Sequence, residues 1–220
     1  DDVAFTGLFI GTDVLLMNYD EDIRLLFGEQ KDSIFVPKHG SEKAFFEIVN
    51  EFGSVYSVIA FPSAIYLSGL AFSNEELRTT GRLLTEAMVL STAISQVIKI
   101  SAGRSRPYTN DGSNVWKPFS FSDSYPSGHS TVAFTIATVL SCRIDKWWAY
   151  VSLYSIAAST GVARVYLDKH WASDVLMGAG IGTVSGLLIL NANEKTKNDK
   201  TSEGFNFTPG PYFFSVSYSF

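Results

Sequence analysis

PSGHSTVAFTIATVLSC, residues 126–142, is the stretch on which the reading of this chain turns. A Pro-Ser-Gly turn feeds straight into an uncharged apolar run, so a helix begins where the turn ends. At such a start the free N–H groups and the positive end of the helix dipole point outward together, which suits an anion. Ser127 adds a hydroxyl donor, and Gly128 lets the backbone come close to a ligand. His129 stands where it can protonate a departing oxygen. Taken alone, the same residues read more readily as a capping turn with an incidental histidine.

The flanking segments change that balance. Upstream, Ser73 and Asn74 are N-cap candidates, Glu75 and Glu76 suit a first helical turn, and the helix they start should run to about Ile100, with Gly103 as its stop. Lys99 falls near that helix end, and Arg106-Pro107 follow in a loop, 102–125, rich in Gly, Ser, Asn, Asp and Pro. Arg104 reads as a spare cation in a solvated basic turn. Downstream, helices are expected at 147–165 and 171–191. His170 and Asp174 are four apart and share a helix face, so the carboxylate can accept the imidazole Nδ1–H and leave Nε2 bare as nucleophile or base. Arg164 lies six residues before His170, and its planar guanidinium can grip two phosphate oxygens at once. The chain has three histidines, and two of them sit in these clusters.

The rest of the chain is also mostly helical in period. Residues 3–17 and 20–28 read as one broken or two short helices, 31–42 as a loop, 43–52 as an amphipathic helix and 54–72 as an apolar run containing Pro62. A polar break at 192–204 should end the bundle. Residues 212–220 (YFFSVSYSF) alternate with a strand period and are expected to pack on it. The expected fold is all-α: one domain, 1–220, with about six helices and a short C-terminal β-like tail.

With 18% charged residues, a net charge of −5 and a mean hydropathy of +0.12, the chain offers no basic face for nucleic acid. One cysteine excludes an internal disulfide. Residues 54–73 and 175–193 approach the ~20 apolar residues of a membrane span, whereas 87–98 and 130–142 look too short, being bounded by Glu86, Lys99 and Arg143. Central helices of a soluble bundle have the same pattern, so both settings stay open. Trp147, Trp148 and Trp171 are candidate interfacial anchors.

Lys-x6-Arg-Pro at 99–107, Pro-Ser-Gly-His at 126–129 and Arg-x5-His-x3-Asp at 164–174 together resemble the three-part signature of the type 2 phosphatidic acid phosphatase superfamily, which includes bacterial acid phosphatases and vanadium haloperoxidases. The resemblance covers about 74–190. One departure is Ala163, where the family commonly has serine, which removes one hydroxyl from the phosphate pocket. The resemblance implies a bundle whose site lies where several helices end on one side. It implies a phosphatase that needs no metal or other cofactor and acts on phosphate monoesters through a phosphohistidine. His170 would be the nucleophile, Asp174 its orienting partner and His129 the acid for the leaving group. Lys99, Arg106, Ser127, Gly128 and Arg164 would hold the phosphoryl oxygens.

The partner expected on this reading is a phosphorylated small molecule or a lipid headgroup of phosphatidate, polyprenyl diphosphate or lipid A type, with membrane contact. The alternatives are a vanadate-dependent haloperoxidase and a soluble non-specific acid phosphatase. A bacterial exported protein, its leader removed and its site facing the periplasm, is the expected location.

Overall fold

In a computed structural model of the chain, the described residues are 2–27, 40–120, 122–199, 204–209 and 214–219, with the backbone alone described at 2–6, 40–43 and from 197 onward. They form α1 (Asp2–Met17), α2 (Asp20–Phe27), α3 (Gly40–Glu51), α4 (Val55–Ala71), α5 (Glu75–Ala102), a 3-10 turn at Pro107–Thr109, α6 (Gly128–Ile144), α7 (Trp147–Tyr166), α8 (Ala172–Asp199), β1 (Gly204–Pro209) and β2 (Phe214–Ser219). The all-α expectation holds, with eight helices rather than about six, because the N-terminal segments form separate short helices. The tail is an antiparallel hairpin in which Phe207 pairs with Val216. Residues 212, 213 and 220 of the expected strand lie outside the described residues, as does most of the expected loop at 31–42.

Local chemistry sets the helix ends. Asn74 caps α5 by accepting from the Leu77 N–H at 3.1 Å. Gly103 ends α5 at φ 57°, with its N–H on the Lys99 carbonyl. A Cβ there would lie 1.8 Å from the Lys117 carbonyl oxygen, so this stop admits no side chain. α8 departs from expectation by running through the supposed polar break to Asp199. Residues 192–199 include Ala, Glu and Lys and contain neither Gly nor Pro, so polarity alone does not stop the helix.

α6 is the central helix and packs on α4, α5, α7 and α8. Leu84, Ala87 and Met88 of α5 meet Val132, Ile136 and Val139 of α6 in the main apolar core. α8 approaches α6 through a stripe of glycines, and a Cβ at Gly182 would fall 2.4 Å from the Thr131 carbonyl oxygen. Small residues at this spacing let two backbones pack closely without relying on a hydrophobic force between them.

The outer surface is apolar. Val55, Tyr56, Ile59 and Leu67 of α4, Val89 and Val97 of α5, and Leu188 of α8 are each at least half exposed. α5 and α8 are long and apolar enough to cross a membrane, and α3 with α4, bent by 57° at their junction, make up to a third span. That is a membrane protein's exterior. α5 corrects the expectation that 87–98 is too short, since Glu86 and Lys99 lie inside one continuous helix rather than at its ends. Trp147 and Trp148 are exposed, as interfacial residues must be, whereas Trp171 is 1% exposed and belongs to the interior.

Candidate active site

The end of α5, the start of α6, the end of α7 and the start of α8 deliver the three sequence clusters to one region, and residues 123–126 run between them. Lys99 Nζ donates to the carbonyls of Asp123 at 2.5 Å and Pro126 at 2.6 Å. Arg106 makes a two-pronged pair with the Asp123 carboxylate, both contacts at 2.7 Å. Tyr125 donates its hydroxyl to Asp13 of α1 at 2.7 Å. The Ser127 N–H donates to the Asp174 carbonyl at 2.8 Å, which ties α6 to α8 at their starts.

His170 precedes α8 rather than sitting on it, and its principal partner differs from the expected one. Nδ1 lies 2.8 Å from the Ser124 backbone carbonyl and 3.5 Å from Asp174 Oδ2. A carbonyl oxygen only accepts, so Nδ1 carries the hydrogen and Nε2 keeps its lone pair. The expected tautomer therefore holds, locked mainly by backbone. Asp174 is fully buried and engages Arg104 at 2.7 Å, Ser124 Oγ at 2.5 Å and the Trp171 N–H at 2.9 Å. It organises the region behind His170 as much as the imidazole itself.

Arg104 is the main correction. It is 0% exposed, not part of a solvated turn. Its guanidinium bridges Asp174 and Asp20 of α2 at 2.7 Å each, donates to the Ser113 carbonyl at 2.8 Å and to Ser173 Oγ at 2.7 Å, and lies 4.9 Å from the ring centre of Trp116 and 5.6 Å from that of Trp171. Two carboxylates, a carbonyl and a hydroxyl use the donors that burial would otherwise leave unpaired. The sequence signal for it was weak, because its acidic partners stand 84 and 70 residues away.

Arg164, in the last turn of α7, donates to Asn50 of α3 at 2.7 Å, while its buried Nε has no partner. Asn50, like Asp123, Ser124 and Asp20, was not singled out in the sequence. Ser127 caps α6, its oxygen accepting from Ser130 Oγ at 3.0 Å and leaving its own hydrogen to donate. A Cβ on Gly128 would meet Lys99 Cε at 3.9 Å, in ordinary contact, so the backbone here is open on the Lys99 side. Burial first, and then the neighbouring charges led by Arg164, push the His129 imidazole down to about 3; Arg106 and Lys99 add to the push, so His129 lies among the cations.

Burial pushes the His170 imidazole down to about 4, against the opposing pull of Asp174. Burial alone would raise Asp123, but the paired Arg106 outweighs it and holds the carboxyl below the usual carboxylate range. An unfolded histidine titrates near ~6.5. Between that value and about 4 the unfolded chain binds a proton that folded His170 refuses, so stability falls as pH drops through this window. The neutral imidazole survives the same window and is lost below about 4. Thermal unfolding against pH checks this, and His170→Asn should flatten the acid side of that profile. An unchanged slope would contradict it.

A family model described as the PAP2 superfamily matches residues 81–197, just over half of the chain. The chain belongs to the PAP2 superfamily. The match runs from early α5 to late α8, so α1–α4, which supply Asp13, Asp20 and Asn50 to this region, lie outside it. The chain is 29% identical over 159 residues to a lipid A 1-phosphatase of Porphyromonas gingivalis, covering 70% of this chain and 34% of that protein. It is 31% identical over 121 residues to a putative undecaprenyl-diphosphatase, YbjG, of Escherichia coli, covering 52% of this chain and 61% of that one. The chain thus spans about a third to three fifths of these relatives. Among solved structures, LpxE of Aquifex aeolicus matches at 26% identity with a TM-score of 0.53, over 78% of this chain and 93% of that one. A PAP2-type phosphatidylglycerolphosphate phosphatase of Bacillus subtilis matches at 20% identity with a TM-score of 0.62, over 88% and 96%, and supports the fold.

Proposed function

We propose that this PAP2 protein is a phosphatase for lipid phosphates that works through a phosphohistidine on His170. The observation that carries the reading is the lock on that residue: its Nδ1–H points at the Ser124 carbonyl, so the bare Nε2 is the ring's nucleophilic nitrogen. Nε2 attacks phosphorus, the Nε2–P bond forms and the bond from phosphorus to the leaving oxygen breaks. His129, protonated once the anionic substrate is bound among the cations, gives its proton to that oxygen and the alcohol departs. Water then attacks phosphorus, His129 takes a proton from it, the N–P bond breaks and inorganic phosphate leaves.

Lys99, Arg106, Arg164, the Ser127 hydroxyl and the Gly128 N–H hold the equatorial oxygens while charge shifts across them. Arg106 is engaged by Asp123, so an entering phosphate shares or displaces that carboxylate. The apolar outer faces of α4, α5 and α8 favour a lipid phosphate over a water-soluble ester.

The test is phosphate release by purified protein in detergent micelles from short-chain phosphatidate, farnesyl diphosphate and a soluble aryl phosphate. Turnover of at least one lipid substrate well above the aryl phosphate is expected. Release from the aryl phosphate alone would replace the lipid reading with that of a non-specific phosphatase.

A further inference from the structure

Lys99, Arg106 and Arg164 bring three cations to the candidate site, and their partners differ in kind. Lys99 donates to the Asp123 and Pro126 carbonyls, and Arg164 donates to the Asn50 side chain, so both face neutral oxygens. Among the described residues, Arg106 is the one of the three that an acidic side chain pairs. Asp123 Oδ1 lies on its Nε and Oδ2 on its Nη2, each at 2.7 Å. That is the two-pronged grip with which a guanidinium holds a phosphate. Asp123 therefore sits on an edge of Arg106 that a phosphoryl group can use.

The carboxylate can turn away without disturbing the segment that carries it. The Asp123 carbonyl accepts from Lys99, the Ser124 N–H donates to the Arg104 carbonyl at 3.0 Å, and the Ser124 carbonyl faces His170 Nδ1 at 2.8 Å. These bonds pin the backbone around Asp123, and none of them uses its carboxylate. Rotation about χ1 carries the side chain from one staggered position to another. It is 51% exposed, so water satisfies its oxygens once it has turned. Arg106 is more confined, with its side chain 21% exposed and its guanidinium 5.9 Å from the ring centre of Tyr108. The cation stays and the anion moves. An ion pair with one partner half exposed opens at little cost.

A phosphatase meets the same anionic group twice, on the substrate and as inorganic phosphate. Cations that hold the equatorial oxygens in the transition state also hold that product, and slow product release limits turnover. A carboxylate that must be displaced whenever phosphate binds weakens substrate, transition state and product by one factor. KM and the dissociation constant of phosphate rise together, and the chemical step is unaffected. Two anions on one guanidinium also repel, so a returning Asp123 loosens a phosphate still in place.

We propose that Asp123 is a displaceable stand-in for phosphate on Arg106: an entering phosphate turns the carboxylate out, and its return to the guanidinium drives inorganic phosphate from the site. Asp123 acts through Arg106 and is a positioning residue. The inference rests on the phosphatase reading above.

The test is calorimetric binding of inorganic phosphate to the full chain in detergent micelles, for wild type, Asp123→Asn, Asp123→Ala, Asp123→Glu and Asp111→Asn. Asp111 accepts from Ser105 at 3.1 Å and Lys117 at 3.4 Å, so its variant makes the same change of charge without touching Arg106. Asp123→Asn and Asp123→Ala should each bind phosphate about three- to tenfold more tightly, the range for a two-pronged, partly exposed pair. Asp123→Glu, which keeps the carboxylate, and Asp111→Asn should stay within twofold of wild type. In turnover of a lipid phosphate, KM should fall by the same factor in Asp123→Asn, with kcat at or below the wild-type value because phosphate leaves more slowly. A residue that only orients Arg106 does the reverse, giving weaker phosphate binding and a lower kcat/KM. That result, an unchanged phosphate affinity, an equal gain in Asp111→Asn, or a kcat above wild type overturns the proposal. Wild type that binds phosphate but releases none from any substrate overturns the phosphatase reading instead, and the binding comparison still decides the role of Asp123.

Discussion

His170→Ala lowers turnover by about 10⁴-fold or more, because no other group in the site can take over the attack on phosphorus. The cations are untouched by the change, so inorganic phosphate or vanadate still binds with an affinity within a few-fold of wild type. Rapid acid or alkaline quenching with a radiolabelled substrate separates the two effects. Wild type should yield an acid-labile, alkali-stable phosphoprotein, the signature of a phosphorus–nitrogen bond, and the variant should yield none. A labelled phosphoprotein in His170→Ala would move the nucleophile elsewhere, with His129 the first candidate. Loss of phosphate binding together with turnover would make His170 a phosphate ligand rather than the attacking group.

Arg104→Met should be the most destabilising single substitution in the region. It leaves the carboxylates of Asp20 and Asp174 buried and facing one another's helices with their shared counter-ion gone. Removing one partner of a fully buried ionic network costs about 3–5 kcal/mol. In a chain of this length that lowers the unfolding temperature by roughly 6–20 °C. Arg104→Lys recovers little, since one ammonium cannot reach Asp20, Asp174, Ser113 and Ser173 in the planar arrangement a guanidinium satisfies. Adding Asp20→Asn to Arg104→Met should restore part of the loss, because the uncompensated charge drops from two to one. Thermal unfolding in detergent gives the comparison. A fall of less than about 2 °C in Arg104→Met would mean that the Asp20 and Asp174 pair accommodates itself by taking up a proton, and that Arg104 is not the keystone of the α2–α8 junction.

The position of Arg104 also explains why the helices that precede the family segment belong to the same machinery. Asp20 starts α2 and reaches Arg104 and Ser173, Glu21 accepts from the Ser113 N–H at 2.7 Å, and Arg24 pairs with Asp168 at 2.8 Å, two residues before His170. Asp13 of α1 holds Tyr125, next to the Pro-Ser-Gly-His turn. α1 and α2 therefore brace the loops that carry the chemistry, although no residue in them was legible as functional.

By itself the sequence determined what depends on near neighbours along the chain. Asn74 and Gly103 bound α5, the Pro-Ser-Gly turn starts α6, and Lys99, Arg106, His129, Arg164, His170 and Asp174 were legible as one chemical inventory, because capping, helical period and motif spacing act over a few residues. Tertiary structure decided which of their polar atoms are already spent. His170 takes its main partner from Ser124, 46 residues earlier; Arg106 is held by Asp123, 17 residues on; and Arg104, unremarkable in its own turn, becomes the buried link between residues 20 and 174. Hydrogen-bond partners and burial are properties of segments brought together by packing, and a local pattern carries no record of which distant carboxylate will face a given cation. The two long helices divide the same way. The run at 175–193 was legible as a span and the course of α5 to about Ile100 was legible from its caps, whereas α5 as a span was missed because Glu86 and Lys99 were read as bounds of the apolar run at 87–98, and the extension of α8 to Asp199 was missed because polarity was read as a stop.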